Sequence, residues 1–569
     1  MISSVLLGLL GVAGLASARN GTNPHDKTDL YAGRPVAHLT PPEGWMNDPN
    51  GLWYDEKEDL YHAYFQYNPN GTVWALPLYW GHSVSSDLTN WLYQGIAIAP
   101  ERDDSGAYSG SAVVDYNNTS GFFNDSVDPR QRVVAMWTYN TPEKETQYVS
   151  YSVDGGNTFI SYENNPVLDI NSTQYRDPKV IWHEESNKWI LTVAHSQKYE
   201  ILIYSSPNLK DWKLESSFGD QGYLGYQYEC PGLAKVPVVE GENGLTLSNL
   251  TSNNTSVNNY FNSSASSNGK VKEAWVLFIS INPGAPQGGS ATQYFIGDFN
   301  GTHFVPFTTQ TRFIDMGKDY YALQCFFNSR NKNDVLSIAW ASNWQYGSLV
   351  PTDGWRSSMS LVRNLTLKEW APNPESVQLN LNSEPILNMK PSKAKNASTE
   401  LTDVLLTTKD SISANFAPRM NTGVYDFEIV WSVNKNAFNN SRLNEWTLYI
   451  DSQDYYAEYL ALGYDTTAGA FYIDRGNSYN DFVSLNPFFN NRESISLEPY
   501  STSTNGTNTY KVYGVIDQNI VELYFNDGSI VSTNLFFFSD HNQIRGFETY
   551  TNVDGGFKFD SFKFHVLNF

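Results

Sequence analysis

The chain has 569 residues, of which 40% are hydrophobic and 17% are charged. The charged fraction is too low for a disordered chain, and the length allows two ordinary domains. The formal net charge of −23 argues against nucleic acids and anionic membranes as partners, because both would repel the chain. Sixteen Trp and 37 Tyr are more than cores require, and such rings suit flat sugar faces, so a carbohydrate ligand is indicated.

The N-terminal residues have the pattern of a secretory signal peptide. An apolar run from Val5 to Leu15 ends in Ala16-Ser17-Ala18, a small-residue cleavage pattern. The run is too short to span a bilayer, although the residues before it include no Lys or Arg. We therefore predict a signal peptide over residues 1–18 and a secreted mature chain.

Acceptor sequences for N-glycosylation agree with export. The N-x-S/T sequons begin at Asn20, Asn70, Asn117, Asn118, Asn124, Asn171, Asn249, Asn253, Asn254, Asn262, Asn300, Asn364, Asn396, Asn439 and Asn505. So many sequons behind a signal peptide predict a secreted, N-glycosylated eukaryotic protein.

Internal repeats indicate the fold of the larger part of the chain. The segment SVSSDLTNW (Ser83–Trp91) is echoed by SYSVDGGNTF (Ser150–Phe159) and YSSPNLKDW (Tyr204–Trp212), and more weakly by FIGDFNGTHF (Phe295–Phe304). A pair of strand-like runs precedes each echo, and a fifth such unit follows the last one. Five β-rich units predict a five-bladed β-propeller over residues 19–360.

The repeats place particular residues at the start of each unit's first strand. These residues are Asp48, Ser109, Asp177, Glu229 and, approximately, Leu323. The first strand of each propeller blade lines the central channel, so these side chains are expected to converge there. Solvated charges would scatter over outer strands and turns instead, so three acids in this position point to a function.

Two polar segments and a second domain complete the predicted organisation. A Ser/Asn-rich stretch, residues 241–270, enlarges the fourth unit and is expected to be mobile. After about residue 360 the repeat stops, and the Pro/Asn-rich residues 361–389 are predicted to form a linker. Beyond it, period-two alternation predicts a β-sandwich over residues 390–569, so the chain as a whole is predicted to be all-β.

The chain has two cysteines, Cys230 and Cys325. They could form at most one internal disulfide, so the chain is not a disulfide scaffold. We favour two buried free thiols, because free Cys usually packs as a small hydrophobic residue.

The three acids have similar local sequences. Asp48 and Asp177 are each followed directly by Pro, and Glu229 lies in a Glu-Cys-Pro sequence. Proline fixes the backbone and so helps to hold the orientation of the acid. A single Asp-Pro is best interpreted as a turn, but three such sequences in corresponding positions favour catalysis. Glycoside cleavage uses one acid as proton donor and another as nucleophile or base.

Short motifs along the chain resemble those of one enzyme family. The motifs are WMNDPNG, FQYNP, YSGS, RDP, ECPG and WASNW, with IDQNIVELYFNDG in the second domain. The set is similar to that of the invertase and inulinase family, glycoside hydrolase family 32, and the similarity covers the whole predicted mature chain. It implies that the protein releases terminal β-D-fructofuranosyl units.

The resemblance also implies a role for each acid. Asp48 would be the nucleophile that attacks C2 of the fructosyl unit, and Glu229 the general acid and then the base. Asp177 would hold fructose hydroxyls and stabilise the transition state. Positions that match sugar-binding residues of the family are Asn47, Gln66, Trp74, Tyr108, Ser109, Arg176 and Trp344. Tyr108 replaces the usual Phe, which is expected to affect packing more than chemistry. No metal and no cofactor is implied.

Several functions are compatible with these residues. The leading hypothesis is a retaining β-fructofuranosidase that cleaves sucrose to glucose and fructose. An exo-inulinase or fructan exohydrolase, or a fructosyltransferase, would share its chemistry, because water and sugar compete for the same fructosyl-enzyme. A non-catalytic sugar-binding protein is a more remote alternative, against which the intact acids argue. We further expect an acidic pH optimum. The sandwich could bind sugar or provide subunit contacts, and the resemblance implies a homo-oligomer, a dimer or larger, built through it.

Overall fold

The computed structural model of the chain describes residues 33–239, 273–373, 376–416, 422–438, 443–452, 458–539 and 544–569. The predicted signal peptide and the predicted mobile segment, residues 241–270, lie outside the described residues. Among the described residues, the structure contains no helix with the length and apolar character needed to cross a bilayer.

Five antiparallel sheets follow one another in the first part of the chain and form the blades of a propeller. Blade 1 contains β1 (Gly44–Asp55), β2 (Leu60–Asn68), β3 (Tyr79–Ser85) and β4 (Leu92–Ile98). Blade 2 contains β5 (Gly106–Val114), β6 (Val133–Asn140), β7 (Glu145–Ser152), β8 (Ile160–Ser161) and β9 (Leu168–Ser172). Blade 3 contains β10 (Tyr175–His183), β11 (Lys188–His195), β12 (Glu200–Ser206) and β13 (Lys213–Gly219).

The last two blades complete the ring. Blade 4 contains β14 (Tyr228–Pro237), β15 (Glu273–Ile281), β16 (Ala291–Phe299), β17 (Phe304–Pro306) and β18 (Arg312–Phe313). After it come β19 (Tyr321–Cys325), β20 (Leu336–Trp340), β21 (Trp355–Arg356), β22 (Arg363–Asn373) and β23 (Ser376–Pro385). Strand β21 pairs in parallel with β1 and so ties the end of the propeller to its beginning. The other four strands form blade 5.

The predicted linker over residues 361–389 is corrected by the structure, because β22 and β23 lie inside it and form the outer half of blade 5. Leu365, Leu367, Leu379 and Leu381 alternate along these strands and are buried in one hydrophobic cluster. The Pro and Asn residues around them obscure this period of two in the sequence, because such residues are typical of a connector.

The second domain is a sandwich of two sheets, and its strands follow in chain order. They are β24 (Lys390–Pro391), β25 (Ser398–Leu405), β26 (Ser413–Asn415), β27 (Val424–Val433), β28 (Glu445–Ser452), β29 (Tyr459–Asp465), β30 (Ala470–Asp474), β31 (Arg492–Ser496), β32 (Ser501–Thr502), β33 (Asn508–Asp517), β34 (Ile520–Phe525), β35 (Ile530–Leu535), β36 (Ile544–Thr551) and β37 (Phe557–Asn568). One sheet has eight strands around β27, β33 and β37, and the other has six around β28 and β36. A short α-helix, α1 (Asn480–Leu485), precedes β31.

Short 3-10 turns connect some of these strands. They are Pro129–Gln131, Glu184–Ser186, Ser196–Lys198, Gly347–Leu349, Lys435–Ala437 and Asn526–Gly528. The sandwich core lies between its two sheets and is rich in aromatic rings, among them Trp431, Trp446, Phe562 and Phe564. The strands alternate because one face of each sheet supplies this core. The fold is therefore an all-β five-bladed propeller followed by a β-sandwich, as the sequence predicts.

A buried group of charges joins the two domains, and we name it the junction cluster: His38, Asp315, Arg363, Asp517 and Glu522. Arg363 Nη1 donates to Asp315 Oδ2 at 2.9 Å, and its Nη2 donates to Glu522 Oε2 at 2.8 Å. His38 Nδ1 lies 2.8 Å from Asp517 Oδ2, and its Nε2 lies 3.3 Å from Glu522 Oε1. Arg363 belongs to blade 5 and Glu522 to the sandwich, so these ion pairs fix the position of one domain on the other.

Candidate active site

Every blade has an irregularity in its first strand, and all the predicted site residues except Gln66, Trp74 and Trp344 lie in or beside these irregularities. The pairing register shifts between Met46 and Pro49, Tyr108 and Gly110, Arg176 and Lys179, Glu229 and Gly232, and Tyr321 and Gln324. A bulge leaves residues unpaired and turns their side chains away from the regular pleat. The bulges therefore aim side chains from all five first strands into one end of the channel.

One cavity of about 320 Å³ at this end of the channel collects every residue that the sequence predicts for the site. The predicted residues that line it are Asn47, Asp48, Gln66, Trp74, Tyr108, Ser109, Arg176, Asp177, Glu229 and Trp344. Four further residues line the same cavity without having been predicted: Leu78, Glu145, Asn282 and Tyr321.

Asp48 is held by short polar contacts on both carboxylate oxygens. Asn47 Nδ2 donates to Oδ1 at 3.1 Å, and Ser109 Oγ donates to Oδ2 at 2.8 Å. Asn47 is itself held by Trp45, whose Nε1 donates to its Oδ1 at 2.8 Å. Burial raises the pKa of Asp48, the hydrogen bonds from Asn47 and Ser109 act against this rise, and the charge of Glu229 adds to it. The bonds from Asn47 and Ser109 therefore favour the ionised form of this carboxyl.

Asp177 lies in a left-handed backbone conformation, with φ of 66°. This conformation is costly for a residue other than glycine, and it is typical of functional positions. The backbone N–H of Cys230 donates to Asp177 Oδ2 at 2.8 Å. Burial and then the charge of Glu229 raise the pKa of Asp177 well above its usual value, and Arg176 offsets part of this rise.

Glu229 accepts hydrogen bonds from three side chains. Arg176 Nε donates to Oε1 at 3.1 Å, and Gln227 Nε2 donates to the same oxygen at 3.0 Å. The hydroxyl of Tyr321, from blade 5, donates to Oε2. The Glu229 side chain is 14% exposed and is therefore within reach of a ligand in the cavity.

Arg176 connects Glu229 to a carboxylate that the sequence did not reveal. Its Nη1 lies 2.9 Å from both oxygens of Glu145, which begins β7 of blade 2. Burial raises the pKa of Glu145, and the charge of Arg176 works against the rise. Glu145 stands in the polar stretch TPEKETQ, which has no proline directly after this acid and no repeat signal, so no pattern marked it. Among the described residues that line the cavity, Arg176 alone carries a full positive charge, opposite four carboxylates.

Cys230 lies directly behind the two aspartates. Its sulfur lies 3.4 Å from Asp48 Oδ2 and 3.5 Å from Asp177 Oδ2, so one thiol bridges both carboxylates. Cys230 and Cys325 are both free and buried, which confirms the prediction of free thiols. Burial, reinforced by the negative charges around it, raises the pKa of Cys230 well above its usual value, so the group stays a neutral thiol.

Aromatic rings form the rim of the cavity. Trp74 is 37% exposed, and its ring meets that of Tyr108 edge to face with centroids 6.2 Å apart. Trp344 packs against Trp45 and Trp340, with centroid distances of 5.9 and 4.9 Å. Gln66 is buried and donates from Nε2 to the carbonyl of Ala107 at 3.0 Å. Apolar ring faces beside carboxylates and amides match the alternating surface of a sugar ring.

The arrangement brings three carboxylic acids predicted from the sequence, Asp48, Asp177 and Glu229, to one cavity. Asp48 and Asp177 are buried and oriented from behind, whereas Glu229 is held by donors on the side of the cavity. One guanidinium cannot neutralise four carboxylates, and unbalanced carboxyls in a cavity can exchange protons or interact with a positive charge.

Two family models match the chain. The model of the glycosyl hydrolases family 32 N-terminal domain covers residues 38–379, and that of the family 32 C-terminal domain covers residues 388–566. Over 566 residues the chain is 51% identical to Invertase 2 of Saccharomyces cerevisiae, covering 99% of each chain. It is 45% identical over 509 residues to an extracellular exo-inulinase of Meyerozyma guilliermondii, covering 90% of each.

A solved structure agrees with these relatives. The β-fructofuranosidase from Schwanniomyces occidentalis complexed with fructosyl-erythritol is 43% identical and superimposes with a TM-score of 0.84, covering 95% of this chain and 98% of that one. The two family models follow each other along the propeller and the sandwich, and the relatives match over nearly the full length. The chain belongs to glycoside hydrolase family 32.

Proposed function

We propose that the protein is a retaining β-fructofuranosidase that hydrolyses sucrose to glucose and fructose. The observation that carries the proposal is the grouping of Asp48, Asp177 and Glu229 around one cavity, with the thiol of Cys230 touching both aspartates. Two working carboxyls with a third beside them fit a double displacement at a sugar carbon. The relative from S. cerevisiae named Invertase 2 supports sucrose as the substrate.

In the first step, Asp48 attacks C2 of the fructosyl unit while Glu229 gives its proton to the glycosidic oxygen. The C2–oxygen bond breaks, glucose leaves, and the fructosyl unit remains as an ester on Asp48. Ser109 and Asn47 donate to the two oxygens of Asp48 and hold the carboxylate plane in position for this attack. A buried, incompletely neutralised carboxylate is a better nucleophile than a solvated one, because it loses less solvation when it reacts.

In the second step, Glu229 takes a proton from a water molecule, and the oxygen of that water attacks C2. The ester to Asp48 breaks, and fructose leaves with its anomeric configuration retained. Glu229 has just lost its proton at this stage, and the donors Arg176, Gln227 and Tyr321 stabilise it as a carboxylate. The same residue therefore serves as acid and then as base.

Asp177 is assigned the binding of fructose hydroxyls and the stabilisation of the cationic transition state. Its Oδ2 accepts the backbone bond from Cys230, which fixes the rotamer. A fixed negative charge beside C2 and the ring oxygen lowers the energy of an oxocarbenium-like state without a proton transfer. Arg176 forms ion pairs with Glu145 and Glu229 and so neutralises part of the negative charge of the site.

The second candidate function is exo-hydrolysis of inulin-type fructans, and a relative named extracellular exo-inulinase favours keeping it. Both reactions begin with the same fructosyl-enzyme, so they differ in what lies beyond the fructose subsite. The decisive measurement is the ratio of kcat/KM on sucrose and inulin, with products resolved by chromatography. Release of glucose and fructose from sucrose as the preferred reaction supports the proposal, and preference for inulin, or transferred fructose as the main product, contradicts it.

Retention is tested separately by proton and carbon NMR. Immediately after sucrose is added to concentrated enzyme, the first fructose should be the β-furanose form, before mutarotation redistributes it. The α-furanose as first product would contradict the double displacement. A protein with no activity on sucrose, equal to that of Asp48→Asn, would instead support the non-catalytic sugar-binding alternative.

We also propose that the protein is secreted, N-glycosylated and homo-oligomeric through the sandwich. Sequons with exposed asparagines support the glycosylation: Asn70, Asn117, Asn124, Asn171, Asn300, Asn396 and Asn505. Apolar residues exposed on the sandwich, such as Leu485 and Phe488, support a subunit contact. Activity in the culture medium, a mass decrease on endoglycosidase treatment and sedimentation of a dimer or larger particle are the expected results.

A further inference from the structure

The channel has a second cavity, further along the same first strands that line the candidate active site. Its volume is about 580 Å³, and it is lined by the later residues of β10 and β14 and by residues just after β19. The lining includes Lys179 and Cys325. Strand β10 thus presents Asp177 to the catalytic cavity and Lys179, two residues later, to this second cavity, which we name the lower cavity.

Lys179 is a buried cation with an incomplete set of partners. It is 4% exposed, and its Nζ donates to the backbone carbonyl of Cys325. Among the described residues this carbonyl is the one acceptor found for it, and no carboxylate forms an ion pair with it. Burial lowers the pKa of Lys179 to about 8, so it is still an ammonium group in neutral and acidic solution. An ammonium has three donors, so this group faces the cavity with unused hydrogen-bonding capacity.

The carboxylates that line the lower cavity are engaged elsewhere. Glu56 Oε1 accepts from the hydroxyl of Tyr116 at 3.0 Å. Asp334 Oδ1 accepts from Asn331 Nδ2 at 3.0 Å and from Asn364 Nδ2 at 3.2 Å. No ion pair joins Lys179 to either carboxylate, so the cost of burying its charge is not offset by a carboxylate within the described protein.

The lysines that line the lower cavity differ in how they are paired. Lys235 Nζ lies 2.7 Å from Glu185 Oε1 and 2.6 Å from Glu273 Oε1, so two carboxylates neutralise its charge. Lys179 has no carboxylate partner among the described residues, and a buried ammonium in a concave, low-dielectric site attracts an anion.

The walls of the lower cavity are aromatic. Trp182, Trp275 and Phe327 all line it, and Lys235 Nζ lies 5.9 Å from the ring centroid of Trp275. Flat apolar walls beside a cation suit a molecule with an apolar or sugar-like body and one charged group. The volume is ample for a phosphorylated hexose and exceeds what a single water or chloride would fill.

We propose that the lower cavity is a second binding site, for a small organic oxyanion whose phosphate or carboxylate group binds Lys179 and whose body packs on Trp182 and Trp275. The site is separate from the reacting atoms, so it does not depend on the proposed glycosidase function. An oxyanion would supply the acceptors and the negative charge that the described protein does not provide for Lys179.

The binding test uses the full-length wild-type protein and isothermal titration calorimetry. Glucose 6-phosphate, glucuronate and inorganic phosphate are titrated with and without saturating fructose, the ligand proposed for the catalytic cavity, and glucose is the uncharged comparator. We expect glucose 6-phosphate or glucuronate to bind, inorganic phosphate to bind more weakly, and glucose not to bind. Lys179→Met should weaken binding about tenfold or more, the size expected for one charge-assisted hydrogen bond.

Lys393→Met is the matched control, because it removes the same charge from an exposed position on the sandwich. Binding that is equal in Lys179→Met and the control would overturn the proposal, and so would binding that fructose abolishes. Because Lys179→Met could fail to fold, crystals of the wild-type protein are also soaked in glucose 6-phosphate. A phosphate within hydrogen-bond distance of Lys179 Nζ supports the proposal, and density elsewhere or none at all overturns it.

Discussion

The candidate active site and the junction cluster are both buried groups of charge, and they differ in how far those charges are balanced. In the site, four carboxylates share the single guanidinium of Arg176. In the junction cluster, Arg363 and His38 face three carboxylates, and backbone N–H groups donate to those carboxylates as well. Burial therefore has opposite outcomes for Asp48 and Asp177 in the site and for Glu522 in the junction cluster.

The pKa values follow this difference. Burial raises the pKa of Asp48 and of Asp177, and their partners only reduce the rise. Burial would also raise the pKa of Glu522, but Arg363 and His38 outweigh it and bring the pKa to about 2. The unbalanced negative charge of the candidate active site suits the proposed interaction with a developing cation. In the junction cluster, the positive and negative groups neutralise one another. Substitutions in the two regions should accordingly change different quantities.

The largest effect is expected for Asp48→Asn, which keeps the shape of the side chain and removes the carboxylate that we propose as the nucleophile. We expect kcat on sucrose to fall by about 10⁴- to 10⁶-fold, the range seen when a residue that forms the covalent intermediate is removed. Because the folded state raises the pKa of Asp48, its charge opposes folding at neutral pH. The free energy of unfolding should therefore stay equal or increase. A loss of stability together with activity would show that Asp48 is structural.

Glu229→Gln should lower kcat on sucrose by about 10²- to 10⁴-fold, because general acid catalysis of departure of the sugar is lost. A fructoside with a nitrophenol leaving group needs little protonation and serves as the control substrate. Its first turnover should be much less affected, so a burst of nitrophenol should appear. An equal loss on both substrates would contradict the role of proton donor.

In the junction cluster, Arg363→Met should lower the free energy of unfolding by about 3–5 kcal/mol, since it leaves Asp315 and Glu522 buried without their cation. Urea unfolding followed by tryptophan fluorescence measures the change. kcat on sucrose at low temperature should change little, in contrast to the site variants. If Arg363→Met were as stable as the wild type but inactive, the junction cluster would not be a purely structural group of charges.

The contribution of the junction cluster to the free energy of unfolding should also depend on pH, because His38 titrates. Burial alone would lower the pKa of His38, but Asp517 and Glu522 raise it from 6.5 to about 9. The folded state thus binds this proton more tightly than the unfolded state, so its contribution is complete below pH 6.5. It is lost as the pH rises through about 9, for a total of up to about 3 kcal/mol. Unfolding midpoints of wild type and His38→Gln should converge as the pH rises; a constant gap would contradict the assignment.

The site residues that could be predicted from the sequence are those whose motif also lies at a bulge of a first strand. Asp48, Asp177 and Glu229 each belong to a motif with a following proline, and each lies in or beside a bulge of a first strand. The motif is local, and a propeller brings its first strands to one channel, so residues far apart in sequence could be predicted to meet.

Glu145 and Tyr321 could not be found in the same way. Glu145 begins β7, the third strand of blade 2. It belongs to the site through Arg176, whose Nη1 lies 2.9 Å from both of its carboxylate oxygens. Tyr321 reaches Glu229 because blade 5 closes beside blade 4. Both contacts form only when the ring of blades is closed, so no periodic pattern or fixed spacing in the sequence indicates them. The strands within the predicted linker were missed for a different reason, because their prolines and asparagines obscured a regular alternation.

The smallest expected effect, and the finest test of the comparison, comes from Ser109→Ala. Its hydroxyl donates to Asp48 at 2.8 Å and lowers the pKa of that carboxyl, against the larger rise from burial. Without the bond the pKa of Asp48 should rise further, so the acidic limb of the pH–kcat/KM profile should move to higher pH. At the wild-type optimum, which we expect to be acidic, kcat/KM should fall about tenfold. Ser111→Ala is the matched control on β5, since the Ser111 hydroxyl donates to the carbonyl of Pro178 and accepts from the N–H of Val180, and its hydrogen bonds are not to Asp48. An acidic limb that moves equally in both variants, or in neither, would show that the unbalanced charge of Asp48 does not set the lower end of the profile.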